Sequence, residues 1–159
     1  FKLTDCPGQA TWFPPRDDPA EHGPLFLISG QPKTRLHSQL DDGSYSRSYK
    51  IKDREPVLIH PVDAAQRGIT DGDVVELHNG RGRCLAGAVV TDDVRQGCLF
   101  LWTGAWYDPD FSQSPPLDRH GNPNSLTHDR RTSSLSQSPA SHSVRLEVRK
   151  WTEIGRAHF

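Results

Sequence analysis

The apolar residues of this chain come in short runs, each closed by a turn signal, and that pattern limits the fold more than any other feature. Leu25-Phe26-Leu27-Ile28 ends at Ser29-Gly30, and Val57-Leu58-Ile59 ends at His60-Pro61. Val74-Val75-Glu76-Leu77 follows the turn Asp71-Gly72-Asp73 and leads to Asn79-Gly80, a strong hairpin signal. The return run is Cys84 to Thr91, and Cys98-Leu99-Phe100-Leu101-Trp102 comes after Gly97. Residues 142–151 alternate apolar and polar at period 2, as a half-exposed strand does. Residues 62–67, with Pro61 in the first turn and Gly68 as a stop, read as a short helix, and 92–97 as a turn or a second short helical segment. The expected fold is mainly β with short helices, about six strands arranged as a small barrel rather than a parallel α/β sheet.

Between the runs the chain is polar. Of its 159 residues 33% are apolar, with 13 Gly and 13 Pro, so one loop-rich domain is expected. Residues 1–23 form an extended lead-in, with Trp12 and Phe13 as candidate anchors on the domain surface, and residues 24–159 form the barrel domain. Residues 40–50 read as a loop. From Thr103 to Ser141 the sequence is rich in Ser, Pro, Asn, Asp, His and Arg, and so long a stretch without regular structure is functional or disordered more often than idle. The absence of Met, even at position 1, leads us to expect a piece of a longer polypeptide whose targeting signal lies elsewhere.

Several function classes lack support. A net charge of -1, from 19 basic and 20 acidic residues, gives no electrostatic case for nucleic acid or an anionic membrane. No apolar run approaches the roughly 20 residues that span a bilayer. Cys6, Cys84 and Cys98 are odd in number and form no CxxC; free thiols are expected, tilting the expectation toward the cytoplasm with the periplasm still open. The histidines show no HxH or HExxH spacing, Asp41-Asp42-Gly43 is too short for a calcium loop, and no G-x-S-x-G or phosphate loop is present. Arg81-Gly82-Arg83 reads as a solvated turn. No catalytic residue and no metal ligand is assigned.

Two stretches remain, 29–39 (SGQPKTRLHSQ) and 118–137 (DRHGNPNSLTHDRRTSSLSQ). Each is longer and chemically richer than a turn requires. Both carry amides, hydroxyls, His and Arg, and both are bent by Gly or Pro. Amides pair with flat heterocycles that show a donor and an acceptor on one edge, and Arg pairs with phosphate or carbonyl oxygens. Two such loops on one small barrel point to a binding surface for a large polar ligand.

These segments resemble one family. Ser29-Gly30-Gln31-Pro32 with Arg35-Leu36-His37-Ser38-Gln39, the run from Val57 to Val75 with Ile59-His60-Pro61, Asp63-Ala64-Ala65 and Gly68-Ile69-x-Asp71-Gly72-Asp73, and Arg81-Gly82 all look like the C-terminal domain of molybdopterin oxidoreductases. Gly104 to Pro109, His120-Gly121-Asn122-Pro123-Asn124 and Thr132-Ser133-x-Leu135-Ser136-Gln137 continue the likeness, which is strongest to the dimethyl sulfoxide, trimethylamine N-oxide and biotin sulfoxide reductase branch. The resemblance implies a double-psi β-barrel that closes over molybdopterin guanine dinucleotide. It implies that Gly30, Gln31, Arg35, His37, Ser38 and Gln39 line the pterin and phosphate region, and that Asn122, Asn124 and Gln137 hydrogen-bond the pterin edges. The metal's protein ligand and the substrate funnel would come from upstream domains of the same polypeptide, so this chain alone is expected to be non-catalytic. The alternative is a stand-alone double-psi interaction module that binds a protein and no cofactor.

Overall fold

The computed structural model describes residues 3–152. In chain order its elements are α1 (Pro19–His22), β1 (Leu25–Gly30), α2 (Ser44–Arg47), β2 (Pro56–Ile59), α3 (Pro61–Ala65), β3 (Val74–His78), β4 (Arg83–Val90), β5 (Cys98–Trp102), β6 (Pro109–Asp110), β7 (Leu117–Asp118) and β8 (Arg145–Lys150), with short 3-10 turns at Pro123–Ser125 and Ser141–Ser143. The six strands expected from the apolar runs are β1 to β5 and β8.

Those six close on themselves in the order β2-β5-β1-β8-β3-β4, with β4 pairing back to β2. Pairs β1–β5 and β2–β4 are parallel, whereas β1–β8, β2–β5, β3–β4 and β3–β8 are antiparallel. Exchanging β1, β2 and β3 with β4, β5 and β8 turns every pair into another of the same sense. The barrel thus has a pseudo-twofold built from two interlocked halves, the double-psi arrangement.

Alternation along the strands fills the interior. Leu25 and Leu27, Val57 and Ile59, Leu99 and Leu101, and Leu146 and Val148 are all buried. Strand β4 departs from alternation, because Cys84 to Ala88 is buried throughout. It lies between β3, β2 and β7, and its small residues admit close neighbours: a Cβ on Gly87 would fall 2.3 Å from the Ile51 Cβ. Glu76, 1% exposed, is the buried charge of β3, and both of its oxygens are taken by arginines, Arg83 and Arg149.

Helix α3 follows the sequence signals closely. His60 caps it, its Nδ1 accepting from the Val62 N–H at 3.2 Å, Pro61 sits in the first turn, and Gly68 turns the chain at φ 61°. Elsewhere the structure corrects the sequence reading. Residues 40–50 contain α2, a single polar turn whose Ser46 is turned inward and accepts from Arg35 at 3.2 Å. The 103–141 stretch is not structureless: it carries β6, β7 and a 3-10 turn.

The lead-in is not anchored by its aromatics, since Trp12 is 79% and Phe13 51% exposed. A polar lock does that work. Asp17 is buried, its carboxylate accepts from Arg81 at 3.0 and 2.6 Å, and it also accepts the Arg145 N–H at 2.9 Å. His22 Nδ1 accepts from the Gly80 N–H. Arg81 also donates to the Leu126 carbonyl, so the solvated turn expected at 81–83 is in fact a tied corner. The reason is long-range: the acid that holds Arg81 lies 64 positions away.

Burial alone would raise the Asp17 carboxyl, but the Arg81 and Arg145 hydrogen bonds with the Arg81 charge bring it below the ordinary carboxylate range. The folded-state value is thus lower than the unfolded one, so the contribution of Asp17 is complete above the ordinary range and is lost as pH falls through the lowered value. Asp17→Ala is expected to cost about 3 kcal/mol by leaving Arg81 without its anion. Denaturant melts should show that loss, together with faster proteolysis within residues 1–23.

Candidate functional site

Parallel pairing decides where the polar loops meet. Strands β1 and β5 run side by side in register, Gly30 opposite Trp102, so the segments leaving their C-terminal ends emerge together. Thr103 fastens them, its N–H and hydroxyl both donating to the Gly30 carbonyl at 2.9 and 3.2 Å. Between 31–38, 103–107 and 122–124 lies a cleft of about 560 Å³ lined by Gln31, His37, Ser38, Thr103, Gly104, Ala105, Trp106, Tyr107, Asn122 and Asn124. A second cavity of about 290 Å³, which includes Ser29, Gly30, Ser141 and His142, shares Gln31, Thr103 and Asn124 with the first. The two form one groove.

Each wall has a local cause. On one side the chain packs so tightly that a Cβ on Gly104 would fall 2.0 Å from the His37 carbonyl oxygen, and Gly104 itself sits at φ 89°. Only glycine satisfies both demands. The Trp106 indole N–H donates to the Ser38 carbonyl at 2.8 Å, which leaves its ring on the cleft surface beside Tyr107.

On the other side Asp118, fully buried, organises the turn that follows. Its carboxylate accepts from the N–H groups of Asp108, Gly121 and Asn122 at 2.9, 2.9 and 2.7 Å. Burial pushes this carboxyl up, while those backbone donors pull the other way. Asn122 then caps the 3-10 turn, its Oδ1 accepting from the Asn124 N–H at 3.0 Å. Gly121, at φ 92°, passes so near Glu55 that a Cβ would meet the Glu55 Cβ at 2.7 Å.

A buried charge cluster sits behind these walls. The Lys50 ammonium donates to Asp41 at 2.7 Å and lies 3.4 Å from Glu55 and 3.2 Å from His120 Nε2. The Arg35 guanidinium lies 3.4 Å from Asp41 and 3.2 Å from Glu55, and donates to the Thr103 carbonyl at 2.8 Å. The remaining oxygen of Asp41 accepts the Trp106 main-chain N–H at 2.9 Å. Two acids thus face two cations. Burial alone would raise the Asp41 carboxyl, but the hydrogen bonds from Lys50 and Trp106 and the charges of Lys50 and Arg35 bring it below the ordinary range.

Of the residues singled out in the sequence, Gly30, Gln31, His37, Ser38, Asn122 and Asn124 line this groove. Arg35 lies in the cluster behind it, its side chain 1% exposed. Gln39 is exposed in the tight turn it makes with Leu36, outside both cavities. Gln137, also exposed and at φ 54°, donates its N–H to the Ser133 carbonyl in a loop outside both cavities. Sequence reasoning did not single out Thr103, Trp106, Tyr107, Ser141 or His142 as site residues. The Trp-Tyr pair just beyond the apolar run of β5 carried a signal, since aromatics in so polar a stretch have little core to join. Among the described residues no group of three His, Cys, Asp or Glu side chains is placed to hold a metal ion.

Comparison with known proteins gives this groove its context. The model of the Molydopterin dinucleotide binding domain family matches residues 25–145. The chain is 43% identical over 159 residues to a trimethylamine-N-oxide reductase of Haemophilus influenzae, covering 97% of this chain and 19% of that protein. It is 43% identical to the dimethyl sulfoxide/trimethylamine N-oxide reductase of Rhodobacter capsulatus over 93% of this chain and 18% of that protein. It is 46% identical to the biotin sulfoxide reductase of Cereibacter sphaeroides over 91% and 20%. Among solved structures, acetylene hydratase from Pelobacter acetylenicus superposes with a TM-score of 0.68 at 13% identity, over 89% of this chain and 21% of that one, a likeness of fold. The chain belongs to the molybdopterin dinucleotide-binding domain family. It spans about a fifth of the length of the curated relatives it matches.

The residues present suit such a ligand. Among the described residues no Asp, Glu, Lys or Arg lines either cavity, so the groove offers amides, hydroxyls, imidazoles and two aromatic rings. That is the donor set for heterocycle edges and for phosphate oxygens bound by neutral hydrogen bonds.

Gly104→Ala is expected to cost about 2 kcal/mol or more, because it combines positive φ with a clash against main-chain atoms. Denaturant melts of the variant give the figure. The acid limb supplies a second check. Asp41 has a lowered folded-state value, so its contribution is present above the ordinary carboxylate range and disappears as pH falls through that lowered value. Stability measured against pH should therefore fall less steeply in acid for Asp41→Asn than for the wild type.

Proposed function

We propose that this chain is the cofactor-holding domain of a molybdenum S- or N-oxide reductase. The observation that carries the reading is the groove at the C-terminal ends of β1 and β5, lined by amides, hydroxyls and two aromatic rings, in a chain about 43% identical to reductases of trimethylamine N-oxide and dimethyl sulfoxide. Molybdopterin guanine dinucleotide is the ligand of that groove.

When bound, the molybdenum of the cofactor supplies two-electron oxygen-atom transfer. The residues of this chain do the holding. Asn122, Asn124 and Gln31 offer paired donors and acceptors for the edges of fused heterocycles. Trp106 and Tyr107 provide ring faces for stacking against a flat ligand. Ser38 and His142 present donors to oxygen-rich parts of the dinucleotide, while the Thr103 hydroxyl, whose hydrogen goes to the Gly30 carbonyl, is left to accept. The tied walls fix these groups before the ligand arrives, which lowers the ordering cost of binding. Protein tuning of a cofactor by hydrogen bonding and orientation follows the general pattern.

The metal's protein ligand and the substrate funnel belong, in this reading, to other domains of the same polypeptide. The free thiols Cys6, Cys84 and Cys98 favour a reducing compartment. No helix among the described residues is long and apolar enough to cross a membrane.

The test is Asn122→Ala with Asn124→Ala in the full-length polypeptide. Purified protein should carry less than half the wild-type dinucleotide, assayed after release, and reduction of dimethyl sulfoxide or trimethylamine N-oxide should fall about tenfold or more. Full dinucleotide content with unchanged turnover would remove the two amides from the binding role.

A further inference from the structure

We infer that Asp41 is a positioning residue for the bound cofactor, setting the width of the groove through Trp106; this rests on reading the groove as the dinucleotide site. Asp41 is fully buried and lines neither cavity, yet its two oxygens reach in different directions. One takes the Lys50 ammonium at 2.7 Å; the other takes the main-chain N–H of Trp106 at 2.9 Å. Trp106 is 53% exposed, and a ring so placed gains little orientation from packing. Two hydrogen bonds fix it instead, Asp41 at the backbone and the Ser38 carbonyl at the indole.

The far side of the cluster leads to the opposite wall. Lys50, held by Asp41, lies 3.2 Å from His120 Nε2, and His120 precedes the Asn122 cap by two residues. One carboxylate therefore stands between both walls of the groove, and it is the nearer of the two that hold the bridging ammonium, at 2.7 Å against 3.4 Å for Glu55. Stability alone gives a weak reason for such a cluster, because buried ion pairs are often replaceable by apolar residues at no loss. An apolar replacement has no acceptor for the Trp106 N–H and leaves Lys50 only Glu55, at 3.4 Å. Asparagine keeps the volume but loses the charge, and one of its two positions then offers an NH₂ group to a donor.

The experiment uses the full-length holoprotein and follows the rate at which dinucleotide is lost on dilution. Asp41→Asn is compared with Val148→Ala, a core truncation on β8 that lines neither cavity, at temperatures equally far below each melting point. We expect Asp41→Asn to lose dinucleotide about tenfold faster than the control, as positioning groups around a cofactor do when removed. Trp106→Phe, which keeps the main-chain N–H but not the indole bond, should also release it faster, and the double variant should be no worse than Asp41→Asn alone, the sign of a shared path. Equal rates for Asp41→Asn and Val148→Ala, or additive effects of Asp41→Asn and Trp106→Phe, would overturn the inference. Should Asp41→Asn fail to fold, wild-type retention in Trp106→Phe would overturn it alone. A wild-type protein that holds no dinucleotide would instead overturn the functional reading itself.

Discussion

Asp41 and Glu55, buried against Arg35 and Lys50, are the interaction on which the binding face depends. Taking four charges out of water is costly, and it is offset only because each charge finds an opposite partner and further hydrogen bonds. Here the partners come from segments far apart in the chain. Arg35 is in the loop after β1, Lys50 follows α2, Glu55 leads into β2, and Trp106 and His120 belong to the long polar stretch beyond β5. The cluster brings together loops whose larger apolar side chains, Leu36, Leu40, Tyr49, Trp106, Tyr107 and Phe111, are mostly exposed. It does for the loops what Leu27, Ile59, Leu99 and Leu146 do for the barrel.

The barrel supplies the second constraint. Because β1 and β5 are parallel neighbours, their C-terminal ends lie at one end of the closed sheet, and the loops they release share a wall. A meander would have sent consecutive loops to alternate ends. The double-psi connection therefore does more than close the sheet: it concentrates polar loops on one rim. The other polar lock, Asp17 with Arg81 and Arg145, keeps the lead-in against β8 and the β3–β4 corner. Each lock centres on a buried carboxylate whose titration is lowered by the groups that hold it.

A division of labour follows within the site. Among the described residues the groove is lined by amides, hydroxyls, imidazoles and aromatic rings, while the Asp, Glu, Lys and Arg charges of the cluster sit behind it, already paired. A ligand entering such a groove meets hydrogen-bond donors and ring faces without having to strip an unpaired ion of its water. Arg35 illustrates the distinction. Its place in a family-like motif made it a candidate for direct contact, and its guanidinium instead holds the Thr103 carbonyl and two carboxylates.

The strands were legible in the sequence because alternation and turn residues are local: the six apolar runs, the His60-Pro61 helix start and the Asn79-Gly80 corner all stand in the fold. The two loops were legible as a binding surface because their chemistry exceeded what turns need. Strand order was not legible from pattern alone, since parallel pairing of β1 with β5 joins residues about seventy positions apart and is selected by burial, not by propensity. The partners of Asp17, Asp41 and Arg81 were equally hidden, because a charge's cost depends on which opposite charge the finished fold sets beside it. The sequence by itself therefore determined the six barrel strands, helix α3 and the chemical character of the ligand surface. Only the tertiary structure decided which polar residues face the groove and which are spent in holding it open, because that choice is made by long-range pairing of buried charges.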